Sequence, residues 1–194
     1  MKIPNTLSDK ELIEYADYHI CYEIDMLYWS TSILISIAES RGKVILPQIF
    51  NNIALEAFAI HSRNLIDFLY LGGTKKDQPT DIIVQDYLEY SIIERYLPPI
   101  SQLLLEAKVK ANKQAAHLTV DRIQYEKSGK GWKYLEILSE IMGSFSVIST
   151  NFTCSTTGEI FRDKIIKPII ELPRIELCTG MVNGLIKEIG FKIN

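Results

Sequence analysis

The chain has few of the residues that build disulfide frameworks and metal centres. It holds three histidines and three cysteines, Cys21, Cys154 and Cys178, in 194 residues. The cysteines are odd in number, widely spaced and without a CxxC pair, so the sequence predicts neither a disulfide framework nor a zinc site. A reducing cytoplasm suits such a chain, and we expect it to need no metal and no cofactor.

Signature motifs of several enzyme classes are also missing. The sequence contains no glycine-rich phosphate loop, no GxSxG turn and no HExxH helix. Its 21 Lys and Arg residues against 24 Asp and Glu residues give a formal net charge of -3. Any site for nucleic acid must therefore be a local basic patch, because the protein as a whole does not attract a polyanion.

Long apolar runs are absent too. The longest charge-free apolar-rich run, residues 26–38, is shorter than the roughly 18 to 20 residues that a membrane-spanning helix requires. Residues 1–15 become acidic before any apolar run begins, unlike a secretory signal. We therefore expect a cytoplasmic chain that does not cross a membrane.

Helical periodicity is what the sequence has in quantity. Ser8 and Glu11 have the spacing of a capping box, and no Gly or Pro follows until Gly42, so the sequence predicts one long N-terminal helix. Spacings of three and four define one apolar stripe, which is typical of a buried seam: Leu12, Tyr15, His19, Tyr22, Met26, Trp29 and Ile33. A second apolar stripe lies on another side of the helix: Ile13, Ile20, Ile24, Leu27 and Leu34. A helix that is apolar on two faces packs against two neighbours or against a neighbour and a partner chain, so we expect a homodimer.

Further helices follow between Pro and Gly signals. The predicted spans are 47–71, about 81–97, about 100–125 and 132 to about 147. Residues 143–158 are rich in Ser and Thr, which predicts a helix end and a loop. The Pro and Gly residues of the tail predict short pieces, although alternation in residues 170–177 permits a strand. The prediction is an all-α helical bundle over residues 1–152, with a short irregular C-terminal extension, 153–194, packing on the same domain.

The second of these helices carries a histidine on its apolar side. His61 falls near the centre of the apolar stripe, and we expect a core histidine satisfied by one hydrogen bond. Arg63 and Asp67 lie on a separate polar stripe, where an ordinary i, i+4 ion pair is expected.

The stretch from Leu104 to Arg122 combines Lys, Asn and His on one predicted helix. Lys110, Lys113 and His117 share a face, because spacings of three and four bring side chains together. His117 lies at the edge of this face, beside an apolar seam. Two interpretations stay open from the residues alone: His117 faces a cleft, or it is a solvated histidine paired with Asp121.

Several segments of the chain resemble the HEPN superfamily and its abortive-infection branches. The segment NKQAAHLT, with Lys110 ahead of it, is similar to the signature helix of that superfamily, in which an Arg precedes a His by four to six intervening positions. Lys110 stands at the six-residue spacing and Asn112 at the four-residue spacing, and the signature Arg is absent. The order YHICYEIDML, LEAFAIHSRNLIDFLY, AAHLTVDR and GKGW resembles a group of bacterial all-helical proteins with HEPN-like domains, over roughly residues 12–140.

This resemblance implies an antiparallel helical bundle that dimerises and acts on RNA. It implies a metal-independent endoribonuclease of a toxin–antitoxin or phage-defence system, with an antitoxin as a further partner. The expected catalytic residues are His117, Lys110, Asn112 and Lys113. Arg63 and Arg122 are the expected substrate-binding residues, with Arg63 as the candidate to replace the missing Arg. The alternative is a catalytically inactive interaction or scaffold module, which the absence of the signature Arg favours.

Overall fold

Helices make up most of the described chain from Asp9 to Asn151. The computed structural model describes residues 7–39, 48–71, 81–113, 131–151, 175–182 and 185–193. The helices within these ranges are α1 (Asp9–Tyr15), α2 (Cys21–Glu39), α3 (Gln48–Tyr70), α4 (Tyr90–Tyr96), α5 (Gln102–Ala111) and α6 (Tyr134–Asn151). The predicted all-α class is confirmed. In the described ranges, no helix is both long and apolar enough to cross a membrane.

The long N-terminal helix begins at the predicted capping box. The Ser8 N–H donates to Glu11 Oε2 at 2.8 Å, and the Glu11 N–H donates to Ser8 Oγ at 3.4 Å. A π-helical turn, Ala16–Ile20, joins α1 to α2, and the Cys21 N–H bonds to the carbonyl of Ala16, five residues back. The helical run is therefore continuous from Asp9 to Glu39, as predicted.

The two apolar stripes of this helix have different surroundings. Ile24 and Leu27 of the second stripe are fully buried, and α2 contacts both α3 and α6. Tyr22 and Trp29 of the first stripe keep 52% and 37% of their surface exposed. The prediction that the first stripe is the buried seam is wrong. The π turn inserts an extra residue near its start, so the sequence spacing no longer maps onto one straight stripe.

Aromatic contacts fix how α3 and α6 pack. Phe58, which is fully buried, meets the ring of Tyr134 edge-on at 5.1 Å. Ten residues later, Phe68 stacks on Phe145 at 5.8 Å. The contacts follow the same order along both helices, so α3 and α6 run in the same direction.

The helix α5 runs opposite to α6. Ser101, which caps α5, donates through Oγ to Glu140 of α6. Nine residues after Ser101, Lys110 lies over Trp132, just ahead of α6. Because α6 and α3 share a direction, α5 also opposes α3. The buried residues between these helices form one core cluster that reaches from Ala16 to Ile148.

The third predicted helix is broken in two. A 3₁₀ turn, Val84–Asp86, and the short helix α4 replace the single helix expected over residues 81–97. Asp86 Oδ2 accepts a hydrogen bond from the Ile83 N–H at 2.9 Å. The Tyr87 hydroxyl donates to the carbonyl of Leu12 at 3.0 Å. Such side-chain bonds compete with helical ones and hold this segment against α1 instead.

The last helix is longer than predicted. It reaches Asn151, although a helix end and a loop were expected from Gly143 onward. Ser144 Oγ donates to the carbonyl of Glu140 at 2.9 Å, and Ser149 Oγ donates to that of Ser146 at 2.8 Å. Bonding back to the helix satisfies the buried hydroxyls, which is why the Ser-rich composition did not end the helix.

The C-terminal extension is more regular than expected where it is described. The strands β1 (Ile175–Val182) and β2 (Leu185–Ile193) pair antiparallel, with Ile175 opposite Ile193 and an irregularity between Gly180 and Met181. The alternation in residues 170–177, which permitted a strand, therefore predicts β1 better than the Pro and Gly content, which predicted only short pieces. Residues 153–174 lie outside the described ranges, so the predicted domain boundary at 152 stays a prediction.

Candidate functional site

A polar cleft of about 460 Å³ lies where α3 meets the C-terminal end of α5. Its polar lining comes from four parts of the chain: Tyr15, Arg63, Asn64, Asp67, Asp81, Lys108 and Asn112. Apolar side chains complete the wall: Phe68, Leu71, Ile82 and Ile83. The cleft brings together two residues of the predicted site, Arg63 and Asn112, which are 49 positions apart in the sequence.

Helical spacing explains which side chains reach the cleft. Arg63 and Asp67 are one turn apart on α3, and Lys108 and Asn112 are one turn apart along α5. Residues separated by four positions lie on the same helical face. Each helix therefore presents one pair of polar side chains to the space between them.

Asp67 links the two cations of the cleft. Its Oδ1 lies 2.5 Å from Lys108 Nζ, and its Oδ2 lies 3.6 Å from Arg63 Nε. Asp67 Oδ1 and Arg63 Nε are both sealed from solvent, and neither meets hydrogen-bond geometry within the described part of the chain. The attraction is therefore coulombic, and the pair with Lys108 is the closer one. The Arg63 side chain is 39% exposed, which leaves its guanidinium accessible to a ligand in the cleft.

Tyr15 supplies a hydroxyl to the same cleft. Burial raises the pKa of Tyr15, and the carboxylates of Glu23 and Asp81 raise it further. The phenol therefore stays protonated at neutral pH, because its ordinary pKa is already about 10. It can donate a hydrogen bond to a ligand but cannot act as a base.

The buried residue His61 shares a hydrogen-bond partner, Glu23, with the cleft residue Asn64. His61 is 8% exposed, and its Nδ1–H donates to Glu23 Oε2 at 2.7 Å. Asn64 Nδ2–H donates to the same oxygen at 3.1 Å. The prediction of a core histidine with one hydrogen bond is confirmed, and so is the Arg63–Asp67 pair. The sequence did not reveal Glu23 as the partner, because it lies 38 residues away on another helix.

Lys110 does not join Arg63 and Asn112. Its Nζ lies 4.7 Å from the centroid of the Trp132 ring, in a separate groove between α5 and the start of α6. Two residues along an α-helix turn a side chain by about 200°, so Lys110 faces away from the side that carries Lys108 and Asn112. Lys113 is half-buried just beyond α5.

Two expected site residues, His117 and Arg122, lie outside the described residues. The helix α5 ends at Ala111, and the N–H of Asn112, its C-cap, donates to the carbonyls of Lys108 and Val109.

Sequence reasoning missed four polar residues of the cleft: Tyr15, Asn64, Asp81 and Lys108. Lys108 had a usable signal, because it stands four residues before Asn112 on the same helix. Tyr15 and Asp81 had none, since each comes from a different part of the chain. Within the described side chains, no group of three His, Cys, Asp or Glu residues is placed to hold a metal ion.

Comparison of the whole chain with known proteins finds no matching family model, no matching curated protein and no matching solved structure.

Proposed function

We propose that this protein is an HEPN-like, RNA-directed protein and that the cleft between α3 and α5 is part of its RNA site. One observation carries the proposal: two residues of the predicted site, Arg63 and Asn112, line one cleft with Lys108. Arg63 takes the place of the signature Arg that the predicted helix with His117 lacks. Its planar fork engages a phosphate bidentately, which the Lys side chain at position 110 does not.

The cleft offers what a single-stranded ribonucleotide needs. Arg63 and Lys108 contact the phosphate, while the amides of Asn64 and Asn112 bond to the sugar or to a base edge. The protonated Tyr15 hydroxyl donates to the same ligand. The attraction is local, since Asp67 and Asp81 balance the two cations of the cleft. Binding therefore depends on geometry more than on net charge.

Cleavage without a metal needs a base for the ribose 2′-hydroxyl, an acid for the leaving oxygen and cations for the developing phosphorane charge. In this proposal His117 is the base or the acid, Arg63 supplies charge and Asn112 orients the ligand. Arg122 and Lys113 extend the phosphate contacts along the strand. Lys110 is left out of the chemistry because it belongs to the separate groove.

The activity is tested on a panel of tRNAs and mRNAs in the presence of EDTA. Wild-type protein is expected to cleave, and His117→Ala is expected to lose about 10² to 10⁴ in rate. Glu94→Ala is the control, because Glu94 is exposed on α4 and does not line the cleft. If the wild type neither cuts nor binds any RNA of the panel, the proposal fails.

The proposal includes a homodimer formed through the exposed side of the π turn and α2. Tyr18, Tyr22 and Trp29 keep 72%, 52% and 37% of their surface exposed along this side. A second copy would cover an aromatic surface that the described neighbours leave open. Tyr18→Glu is expected to turn a dimer into a monomer in sedimentation at micromolar concentration. Tyr90→Glu, on the short helix α4 and 65% exposed in the wild type, is expected to leave the dimer intact.

The setting that fits this proposal is the cytoplasm, in a toxin–antitoxin or phage-defence system. A cognate antitoxin would then cover the RNA site or the catalytic histidine. Co-expression with the adjacent gene product tests this partnership, since the toxicity of the chain alone should disappear when its antitoxin is present.

A specific observation favours a second function, that of a catalytically inactive interaction module. Lys110, the residue at one of the signature spacings, packs on Trp132, and Arg63 is already paired with Asp67. A module of this kind keeps the bundle and binds partners without cutting RNA. The two functions separate cleanly in the cleavage assay, because only the nuclease depends on His117.

A further inference from the structure

A second concave surface lies on the side of α5 that faces away from the cleft. It is a groove of about 1010 Å³ between α5 and the start of α6. Leu103, Ala107 and Ile137 contribute apolar surface to it. On its rim, Leu105 and Val109 are one turn apart and keep 42% and 45% of their surface exposed. Side chains of this kind are usually covered when they line a groove of this size.

The polar groups of the groove are sorted by charge along its length. At one end, Gln102 Nε2–H donates to Glu106 Oε1 at 3.0 Å. At the other end lie Lys110 and Lys133, on either side of the groove. The eight residue steps from Gln102 to Lys110 span about 12 Å of helix, or slightly more than two turns. The groove thus has apolar residues along its length and a basic end at Lys110 and Lys133. Its carboxylate, Glu106, lies one helical turn before Lys110 and already accepts a hydrogen bond from Gln102.

The basic end is already partly removed from water. Lys110 Nζ lies over the face of Trp132, 4.7 Å from the ring centroid, and burial lowers the pKa of Lys110. A carboxylate that docks beside this ammonium would meet a cation that has lost part of its hydration, so the contact adds to binding at a reduced desolvation cost.

We propose that the groove binds an amphipathic α-helix of another protein, with its apolar face on Leu105 and Val109 and its acidic end against Lys110 and Lys133. A helix fits because its apolar residues recur at intervals of three and four, which places two or three of them along 12 Å. The basic end of the groove sets where the acidic end of the helix lies. A second copy of this chain is a poorer occupant, because a twofold contact through this surface places a groove against a groove and leaves the space unfilled.

The probes are two synthetic helical peptides of about 14 residues, roughly four turns. Both carry Leu at positions i, i+3, i+4 and i+7 on an Ala and Gln background. One ends in Glu residues and the other has Lys residues in their place. Fluorescence anisotropy with the full chain is expected to give the acidic peptide at least about tenfold tighter binding than the basic one. In the variant Lys110→Glu with Lys133→Glu, the preference should invert.

The apolar contact is tested with the variant Leu105→Ser with Val109→Ser. It should weaken the acidic peptide about tenfold or more, and Ile53→Ser, at a residue 57% exposed on α3, should leave binding unchanged. Circular dichroism confirms that each variant is folded. The inference is overturned if neither peptide binds the wild type, or if the preference ignores the charge reversal. It is also overturned if the Leu105 and Val109 changes abolish self-association, since the groove would then belong to a second copy. None of these outcomes depends on RNA binding.

Discussion

Truncation of His61 to Ala tests the buried pair that supports the cleft. The change removes the bond from Nδ1 to Glu23, which is 2.7 Å long, and empties space at a residue only 8% exposed. A hydrogen bond to a charged partner contributes about 1.5 to 3 kcal/mol, and Asn64 still donates to the same carboxylate, so the loss is partly offset. We expect His61→Ala to lower the free energy of unfolding by about 1 to 3 kcal/mol.

Urea unfolding followed by circular dichroism measures this loss, and thermal melting gives a second estimate. For a chain of this size, 1 kcal/mol corresponds to about 2 to 4 °C in Tm. His19→Ala is the matched control, because its exposed ring should change stability by no more than about 0.5 kcal/mol. A double-mutant cycle with Glu23→Gln should show coupling between the two side chains. Equal midpoints for His61→Ala and wild type would refute the structural role, and a simultaneous loss of RNA cleavage would assign His61 to catalysis.

Three further predictions concern the core, a thiol and a helix cap. Phe58→Ala should lower the free energy of unfolding by about 3 to 5 kcal/mol, because the ring is fully buried. Phe50→Ala, at a residue 36% exposed, should lower it by less than about 1 kcal/mol. Urea unfolding of both variants compares the two losses. Burial raises the pKa of the Cys21 thiol to about 11, so its alkylation should be negligible at neutral pH and rise only as the pH approaches that value. Iodoacetamide treatment followed by peptide mapping in a mass spectrometer measures the alkylation. Ready reaction of Cys21 at pH 7 would contradict the prediction. Ser101→Ala removes the N-cap of α5 and should lower the free energy of unfolding by about 1 to 2 kcal/mol. Ser139→Ala, on the exposed side of α6, should change it little. Identical melting temperatures of the two variants would count against the role of the cap.

Features set by neighbours in the sequence were predictable. The capping box needs only Ser8 and Glu11, and the ion pair of Arg63 and Asp67 needs only one turn of helix. Features set by distant partners were not. The break of the predicted third helix depends on Tyr87 bonding to the carbonyl of Leu12, 75 residues away. No local pattern encodes such a contact.

The same distinction applies to the candidate site. The sequence identified Arg63 and Asn112 separately, but only the opposite directions of α3 and α5 bring them to one cleft. The sequence predicted that Lys110 and Asn112 belong to one site, because both lie in one motif. Residues two positions apart point to different sides of a helix, so the two side chains lie in different places. The pairing of β1 with β2 had a local signal. The pair Asn183–Gly184 stands between two alternating runs of the sequence, a pattern typical of a β-hairpin.

The most direct test of the proposed RNA site is the salt dependence of RNA binding by an Arg63→Gln variant. Wild type, Arg63→Gln and Arg95→Gln are titrated with single-stranded RNA at several salt concentrations; Arg95 is an exposed arginine on α4, away from the cleft. Each phosphate contact on a single strand contributes about 0.7 to the slope of log K against log salt. The proposal predicts that Arg63→Gln weakens binding and reduces the slope by about 0.7, while Arg95→Gln changes neither. Equal slopes for the two variants, or no binding by the wild type, would contradict it.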